Sequence, residues 1–395
     1  MKSNFDILGN HIRLIDTRNR ESITDRVLGI NIDKFFMPSV ANVIGTDLSK
    51  YKLITKGTFA CNPMHVGRDE RLPVALYDEE EPAIVSPAYF MFEVIDNSIL
   101  NEDYLMMWFR RPEFDRICWL HTDGSVRGGI TWDDMCRLEL PIPPIEKQLE
   151  IVNSYKAITE RIALKQKIND NLVACIDTIF NEQFGNFKAL AESSTANTDF
   201  SSLPDGWTIE NAVHSFDISI GKTPPRSEPE WFTSNQTDNV WISIADMKTN
   251  SPFIFKSAEY LTNEAVKKHN VKIVPANSVL LSFKMTVGRV AIVTNEVTTN
   301  EAIAHFPCTK ENLLFVYCYL KNFNYGYLGS TSSITTAINS KIIKEMPFLM
   351  PSKKELDLFN RKVSGLFEQL KYISKELDIL EELSKMLLPQ LLEHC

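Results

Sequence analysis

The chain contains 395 residues, of which 44% are hydrophobic, and this length predicts two or three globular domains. Its net charge of −9 argues against a surface that is basic throughout. No window approaches the roughly 18 consecutive apolar residues of a membrane-spanning helix, and residues 1–16 lack the apolar core of a secretory signal. The seven cysteines are scattered without a C-x-x-C pair, which is typical of reduced thiols in a cytoplasmic protein and unlike a disulfide framework or a zinc site.

Residues 1–145 combine strand and helix patterns. Runs such as Ala83–Val85 are rich in β-branched residues and are bounded by Pro, Glu and Ser, which favours short strands, whereas Leu100–Phe109 has the pattern of a helix. We therefore expect a first mixed α/β domain. Residues 146–184 follow as a long helix with a less regular apolar stripe, interrupted at Lys165. The stripe consists of Ile151, Tyr155, Ile158, Ile162, Ile168, Leu172, Cys175 and Ile179.

Residues 185–205 are predicted to link this helix to a second half, because Ser, Thr, Asn and Asp are frequent from Ser193 onward. Residues 206–351 again mix strands such as Ser278–Phe283 with helices such as Glu311–Leu320. Residues 352–395 are expected to form a second long helix, whose apolar residues alternate at spacings of four and three, the pattern of a coiled-coil seam. The seam consists of Phe359, Val363, Leu366, Leu370, Ile373, Leu377 and Leu380.

Several short segments occur twice, in the same order. The matched pairs are Met64–Arg68 with Met285–Arg289, the apolar runs Pro73–Leu76 with Val290–Val293, Gly124-Ser125 with Gly329-Ser330, and Leu140–Pro144 with Pro347–Pro351. Each of the last two prolines is followed by a helical pattern. The order predicts two similar halves of roughly 200 residues.

The two long helices have two possible packing partners. Each helix can pack on its own domain, but two matched helices in a repeated chain favour antiparallel pairing with each other. The 33 residues from Phe359 to Leu391 would span about 50 Å as a helix. The predicted fold is therefore α+β: two tandem mixed α/β domains, separated by two long antiparallel coiled-coil helices, in a pseudo-two-fold repeat.

The usual catalytic motifs are missing. Gly221-Lys222-Thr223 resembles the end of a phosphate-binding loop, but Phe216 stands where its first glycine should be. Asn62-Pro63 begins like the loop with which amino-methyltransferases hold a flipped base, yet no glycine-rich loop for a methyl donor accompanies it. The acidic residues show no nuclease spacing. We expect no catalytic centre, no metal and no cofactor.

Other segments resemble type I restriction-modification specificity subunits. In the first half they are Leu28–Ile30, Phe36–Asn42, Gly45–Tyr51, Phe59–Met64, Gly67-Arg68, Ile84–Tyr89 and Pro143–Gln148; in the second they are Ile220–Pro224 and Val240–Asp246. Their order and duplication extend over essentially the whole chain. One segment departs from the pattern, because Ser352–Glu355 replaces the glutamine-bearing segment expected after the second domain.

The resemblance implies a non-catalytic subunit of a multisubunit adenine methyltransferase and endonuclease. Two target-recognition domains would each read one half of a bipartite, asymmetric site in double-stranded DNA. The helices would set the gap between the half-sites and dock two methyltransferase subunits, and motor-endonuclease subunits would complete the restriction complex. A rod of about 50 Å can place two readers a helical turn of DNA or more apart, since one turn is about 34–36 Å.

An alternative is a helical scaffold that assembles partner subunits without reading DNA. The acidic first domain favours it, with 17 basic and 24 acidic residues in residues 1–150. Residues 201–350 balance at 13 and 13. Because phosphate contacts require Lys or Arg, a DNA-reading chain must gather its cations on one face, and we expect the isolated chain to bind DNA weakly.

The predicted base-reading residues centre on the repeated Val-Gly-Arg segment. Arg68 and Arg289 can each pair with guanine, but each can also be a solvated or salt-bridged residue of a hairpin. Glycine pairs such as Gly128-Gly129 can approach the DNA backbone or form plain turns. The further predicted DNA contacts are Arg18, Arg20, Lys34, Asn62, His65, Arg127, Lys222, Thr223, Lys284, Thr286, Ser332 and Thr335.

Overall fold

A computed structural model describes residues 5–40, 43, 45–64, 66–121, 128–193, 201, 203–247, 251–328 and 338–393. The chain divides into two compact units, residues 1–161 with 380–395 and residues 162–379. Both units mix helices and sheets, so the predicted α+β class is confirmed. None of the helices in the described ranges has the length and hydropathy needed to cross a membrane.

In its described residues, the first unit is built on short strands and four short α-helices. The strands are β1 (Phe5–Ile7), β2 (Ile12–Leu14), β3 (Leu28–Ile30), β4 (Phe36–Pro38), β5 (Lys52–Ile54), β6 (Phe59–Cys61), β7 (Val74–Leu76), β8 (Ala83–Val85), β9 (Phe90–Val94) and β10 (Glu139–Pro141). The helices are α1 (Val66–Asp69), α2 (Glu102–Phe109), α3 (Pro112–Leu120) and α4 (Trp132–Cys136).

The main sheet of the first unit has the strand order β2-β9-β6-β7 and is antiparallel throughout. Its core includes Phe59 and Phe92, whose rings stack with centroids 5.0 Å apart, and Phe109 of α2, which meets Phe59 edge-on at 5.8 Å. Helix α2 starts where the Asn101 side chain accepts a hydrogen bond from the Tyr104 amide. Outside this sheet, β1 pairs with β10, so the two ends of the unit meet just before the long helix.

The second unit repeats this design with more strands. They are β11 (Thr208–Asn211), β12 (Ser219–Ile220), β13 (Phe232–Thr233), β14 (Asn239–Ile242), β15 (Phe253–Ile254), β16 (Glu259–Leu261), β17 (Ser278–Ser282), β18 (Val290–Val293), β19 (Thr298–Thr299), β20 (Ile303–Pro307) and β21 (Pro347–Met350). After the long helix α5 (Ile145–Glu192), the helices are α6 (Ala212–Ser215), α7 (Asn263–Lys268), α8 (Leu313–Asn322), α9 (Ser340–Glu345) and α10 (Lys353–Glu393).

The strand order confirms the repeat. In the second unit the order β12-β20-β17-β18 reproduces β2-β9-β6-β7, and β15 is added in parallel beside β18. Strands β11 and β21 pair as β1 and β10 do. The hydroxyl of Tyr104 on α2 donates to the carbonyl of Pro141, and that of Tyr319 on α8 donates to the carbonyl of Pro347, both at 3.0 Å.

The two long helices run antiparallel where both lie in the second unit. Lys165 of α5 forms an ion pair with Glu376 of α10 at 2.8 Å, and Gln183 of α5 donates to Glu355 of α10 at 3.2 Å. The ring of Phe359 packs against the ring of Phe184 with centroids 5.3 Å apart. The two helices therefore pack against each other, and they also pack against the core of this unit. Both of the packing arrangements considered from the sequence occur.

The residues predicted as the seam of α10 lie on the inner side of that helix. Phe359, Val363, Leu370, Ile373 and Leu380 are buried, while Leu366 and Leu377 are partly buried. The apolar stripe of α5 was partly wrong, because Ile168 and Cys175 are exposed and the buried positions of that region of the helix are instead Asn169, Ile176, Phe180 and Phe184.

Three predicted members of the α5 stripe, Ile158, Ile162 and Leu172, are partly buried, as is Ile179, whereas Ile151 is buried in the core of the first unit with Tyr155 packed against it. The helix itself continues to Glu192. Residues 185–192 are therefore helical, and the predicted start of the linker at residue 185 is too early.

Candidate nucleic-acid interface

In the first unit, the predicted recognition segment follows β6 and ends in the short helix α1. The Asn62 side chain accepts a hydrogen bond from the Met64 amide at 3.2 Å, which turns the chain after the strand. Arg68 is 56% exposed and forms a two-pronged ion pair with Asp69, at 2.6 and 2.8 Å. Arg68 is therefore salt-bridged, but it is on a helical turn and not on a hairpin. His65 lies outside the described residues.

The glycine pair packs against this segment. The Gly67 amide donates to the carbonyl of Gly128 at 3.0 Å, and the Ile130 amide donates to the carbonyl of Pro63 at 3.2 Å. A Cβ atom at Gly129 would lie 2.6 Å from the Pro63 carbonyl oxygen, so only glycine fits there. The two predicted features thus form one surface, although Arg127 lies outside the described residues.

In the second unit, the matching segment is the hairpin between β17 and β18. Lys284, Met285 and Thr286 are exposed at its tip, Met285 to 98%. The Ser282 hydroxyl holds the base of the turn by donating to the Thr286 carbonyl at 2.5 Å and accepting from the Arg289 amide at 3.0 Å. The turn is thereby fixed to the sheet, and its tip extends into solvent.

Arg289 does not occupy the position predicted for a base reader. Its guanidinium donates to the carbonyls of Ile244 at 2.9 Å and Met247 at 3.4 Å, and its Nε atom is buried. These contacts fasten the hairpin to the neighbouring turn. Reading guanine would leave both carbonyls without this donor, so the prediction for Arg289 is corrected to a structural role.

Residues Lys222 and Thr223 lie beside this hairpin. Gly221 before them has no room for a side chain, because a Cβ atom would lie 2.1 Å from the hydroxyl oxygen of Thr299. Thr223 donates a short hydrogen bond to Glu301, and this bond lowers the pKa of the Glu301 carboxyl, with Lys284 and Arg226 adding attraction. No helix starts directly after Thr223, in a stretch that the structure describes throughout, so a phosphate-binding loop is ruled out.

The second unit contains a buried histidine, His305 on β20. Burial lowers its pKa to about 4, so the imidazole is neutral at pH 7. Its Nε2 lies 2.7 Å from the Thr299 hydroxyl and its Nδ1 lies 2.8 Å from the Ser219 hydroxyl. The Thr299 hydroxyl donates to the carbonyl of Asn300, so Nε2 carries the proton and Nδ1 accepts from Ser219.

Lys34 is the clearest correction among the predicted contacts. The residue is 4% exposed, and its ammonium donates to Asp115 and to the carbonyl of Phe109, both at 2.6 Å. Burial lowers the pKa of Lys34, and the Asp115 carboxylate opposes that effect. The ion pair is internal, so its ammonium cannot reach a phosphate without breaking the core.

Among the other predicted cations of the first unit, Arg18 is already paired: it bonds to Asp16 at 2.6 Å and to the carbonyl of Lys50 at 2.8 Å. Arg26 of the same unit forms a two-pronged pair with Glu79. Arg20 is exposed. In the second unit, Ser332 and Thr335 lie outside the described residues.

Sequence reasoning missed a cavity in the first unit. The cavity has a volume of about 830 Å³, and cations and carboxylates both line it. The cations include Arg71, Arg110, Arg116 and Lys385, and the carboxylates are Asp33, Glu70 and Asp115. Arg110 and Arg116 form no ion pair with any described residue. The spacing of Arg116 and Trp119 could have indicated one face of α3, but their convergence with Lys385 of α10 is a tertiary feature.

A family profile matches part of the second half of the chain. Residues 215–385 match the profile of the type I restriction modification DNA specificity domain. The resemblance found in the sequence is therefore confirmed, and the repeated strand order extends the same design to the first unit.

Relatives cover nearly the full length of the chain. The type I restriction enzyme HindI specificity subunit of Haemophilus influenzae is 23% identical, over 91% of this chain and 91% of its own. The putative MjaX specificity subunit of Methanocaldococcus jannaschii is 21% identical, over 99% of this chain and 88% of its own. The crystal structure of a type I restriction-modification S subunit from M. genitalium has the same fold, with a TM-score of 0.56, 15% identity and coverage of 99% and 96%.

Within the described residues, no group of His, Cys, Asp or Glu is arranged to hold a metal ion.

Proposed function

We propose that the chain is the DNA-recognition subunit of a type I restriction-modification complex and performs no chemistry itself. The observation that carries the proposal is the repeat: two units share one strand order, and residues 215–385 of the second match the profile of the DNA specificity domain. Each unit reads one half of a bipartite site. The side chains at the two recognition segments differ, so the two half-sites differ as well.

In the first unit, Asn62 and Arg68 are the proposed base readers, because both lie on the segment that follows β6. Asn can pair with adenine and Arg with guanine in the major groove. To read a base, the Arg68 side chain must leave the Asp69 carboxylate. Because the Arg68 side chain is exposed, it can do so by rotating. The cations of the cavity, Arg110 and Arg116, lie on the same unit and serve as phosphate contacts that fix its orientation.

In the second unit, Lys284 and Thr286 at the hairpin tip and Lys222 beside it are the proposed readers. Glu301 lies close to Lys284 and Arg226, and it can accept a hydrogen bond from the amino group of cytosine. Arg289 supports the hairpin from below, and Lys34 supports the first unit.

The paired helices set the gap between the half-sites and dock two methyltransferase subunits, to which motor-endonuclease subunits add. Exposed apolar side chains on α10, Tyr372 at 70% and Ile379 at 64%, suit such docking. The pairing of most cations in the first unit supports weak DNA binding by the chain alone. Tight, site-specific binding by the purified chain would contradict that part of the proposal.

The test is to co-express the chain with its methyltransferase subunit in a host without adenine methylation and to map modified adenines across the host DNA. We expect a split motif of two unlike half-sites with a fixed gap, absent when the chain is omitted. Methylation at a motif independent of the chain would favour the scaffold alternative instead.

Two double variants test which unit reads which half-site. Changing Asn62 and Arg68 together to Ala should relax one half-site, and changing Lys284 and Thr286 to Ala should relax the other. The matched control is Lys310→Ala, because Lys310 is exposed but lies away from the hairpin. The amide of nearby Cys308 donates to the carbonyl of Asn277, at the end of β17 opposite the hairpin. An unchanged motif in both double variants would overturn the assignment.

A further inference from the structure

The tip of the β17–β18 hairpin is built around a methionine in an unfavourable backbone conformation. Met285 has a φ of +57°, a region that side-chain-bearing residues seldom adopt. The Thr286 amide donates to the carbonyl of Lys284 at 2.6 Å, which closes a three-residue turn with Met285 at its centre. This turn with positive φ is the rare, strained form of the γ-turn.

The side chain of Met285 adds a second cost. It is 98% exposed, so an unbranched apolar side chain remains almost entirely in water. Nothing in the described part of the second unit covers it. An exposed apolar side chain and a strained backbone at the same residue are both unfavourable in the free protein, and such residues cluster at functional sites.

The surroundings hold this residue rigidly in place. The Gly288 amide donates to the Ser282 carbonyl at 2.9 Å, the Ser282 hydroxyl holds Thr286, and Arg289 fastens the base of the hairpin to the turn at Ile244. Behind the turn, a Cβ atom at Gly288 would lie 3.2 Å from the Tyr325 ring. The hairpin is therefore a stiff support for a projecting apolar tip.

The flanking residues indicate what the tip meets. Lys284 and Thr286, on either side, are exposed and can bind phosphate or base edges. Proteins that unstack DNA insert apolar side chains, methionine among them, between successive base pairs. The first unit carries a methionine, Met64, at the matching position of the repeat, and it is 45% exposed.

We propose that Met285 is a wedge that enters the second half-site and unstacks two neighbouring base pairs. The inference rests on the proposed function. It adds a preference for certain base sequences that comes from how easily the DNA unstacks and not from hydrogen bonds to the bases. The preferred step is a pyrimidine–purine step, because these steps unstack most easily. The step need not be hydrogen-bonded by any side chain of the hairpin.

The experiment uses the chain in complex with its methyltransferase subunits and a duplex containing the mapped site. 2-Aminopurine, whose fluorescence rises on unstacking, is placed in turn at each purine of the second half-site. We expect one position to brighten on binding, and Met285→Leu to retain the signal. Met285→Ala should abolish it and weaken binding by about tenfold, the order of a single good base contact.

Met285→Gly separates folding from recognition. Glycine tolerates the positive φ, so this variant should be at least as resistant to unfolding as the wild type, yet it should lose the fluorescence signal as the alanine variant does. The control for lost apolar surface is Ile273→Ala, which removes a residue 52% exposed outside the hairpin and should leave the signal unchanged.

Three results would overturn the wedge. One is a mapped site that the complex binds without any position brightening. Another is an unchanged affinity of the alanine variant. The third is a loss of methyltransferase binding by the alanine variant in the absence of DNA, which would make the tip a protein contact. If no split motif depends on the chain at all, the proposed function fails, and that failure is recognised before any fluorescence is measured.

Discussion

Arg68 and Arg289 end the same Val-Gly-Arg sequence in the two halves of the chain, but they have different partners. Arg68 is exposed and bonds to the adjacent Asp69, whereas Arg289 is partly buried and bonds to the carbonyls of Ile244 and Met247. The first segment is a helical turn and the second is a hairpin. The shared sequence therefore predicts where the segment lies in the fold, but it does not predict which contacts its arginine makes.

The first turns of the two long helices differ in the same way. Gln148 of α5 is fully buried and makes three hydrogen bonds, donating to Ile99 and Pro143 and accepting from Asn101. Glu355 occupies the same position after the second proline, and it bonds to Gln183 of α5 instead. The first helix is fixed to its domain, whereas the second is fixed to the first helix.

The two units also differ in their buried titratable groups. The first unit contains a charged pair, Lys34 with Asp115, and the second contains a neutral histidine, His305. The repeat thus keeps the strand order while the polar anchors change. Each difference can be tested by comparing substitutions at matched positions.

The largest effect is expected at the buried ion pair. Lys34→Met leaves the Asp115 carboxylate buried without its cation, which should destabilise the first unit by about 3–5 kcal/mol. Hydrogen exchange of the β6 peptide measures this cost. Arg71→Met is the control, because its pair with Asp33 is exposed, and its exchange should match the wild type. Equal exchange in both variants would mean that the Lys34 pair is not an anchor.

The next effect concerns the first turns of the long helices. Gln148→Leu leaves one amide and two carbonyls without partners, so the first unit should lose about 2–3 kcal/mol. Glu355→Gln retains a hydrogen-bonding group and should change little. Urea unfolding of the two variants, followed by hydrogen exchange near the start of each helix, makes the comparison. A larger loss for Glu355→Gln would reverse our interpretation of how each helix is fixed.

The buried histidine should make the second unit sensitive to acid. Its folded pKa of about 4 is below the ordinary value of 6.5, so between these values the unfolded chain binds more protons and stability falls as the pH falls. From pH 7 to pH 5 the loss should be about 2 kcal/mol. His305→Gln should flatten this dependence, which exchange of the β17 and β20 peptides at both pH values would detect. An equally steep loss in the variant would assign the sensitivity to other groups.

The smallest effect separates the two arginines. Arg289→Ala should destabilise the second unit by about 1–2 kcal/mol, because two carbonyls lose their donor. Arg68→Ala should leave thermal unfolding unchanged and act only on the methylated motif. Thermal unfolding together with motif mapping distinguishes the two roles. Unfolding shifts of equal size would show that the two copies share a structural role after all.

The sequence predicted much of the fold because its signals are local or periodic. The order of repeated segments, the short strands and the seam from Phe359 to Leu380 are set by nearest neighbours and by the repeat of the helix. The stripe of α5 was wrong by one residue from Ile168 onward, because the buried position there is the polar Asn169, which a pattern of apolar residues does not reveal.

The individual site residues could not be predicted in the same way. Lys34 and Arg289 look like surface cations in the sequence, and only their three-dimensional neighbours make them anchors. The cavity of Arg110, Arg116 and Lys385 joins residues that are up to 275 positions apart in the chain.

The sequence by itself determined the number of halves, their order and the two long helices, which follow from periodicity and repetition. The class of protein came from the resemblance of its segments to a known family. The tertiary structure alone decided which cations are free, which glycines are obligatory and which side chain projects from the second hairpin. The physical reason is that a charge or an apolar group acquires its role from burial and partners. Burial and partners both depend on residues that are distant in the chain, and these residues differ between the two halves even where the repeated segments agree.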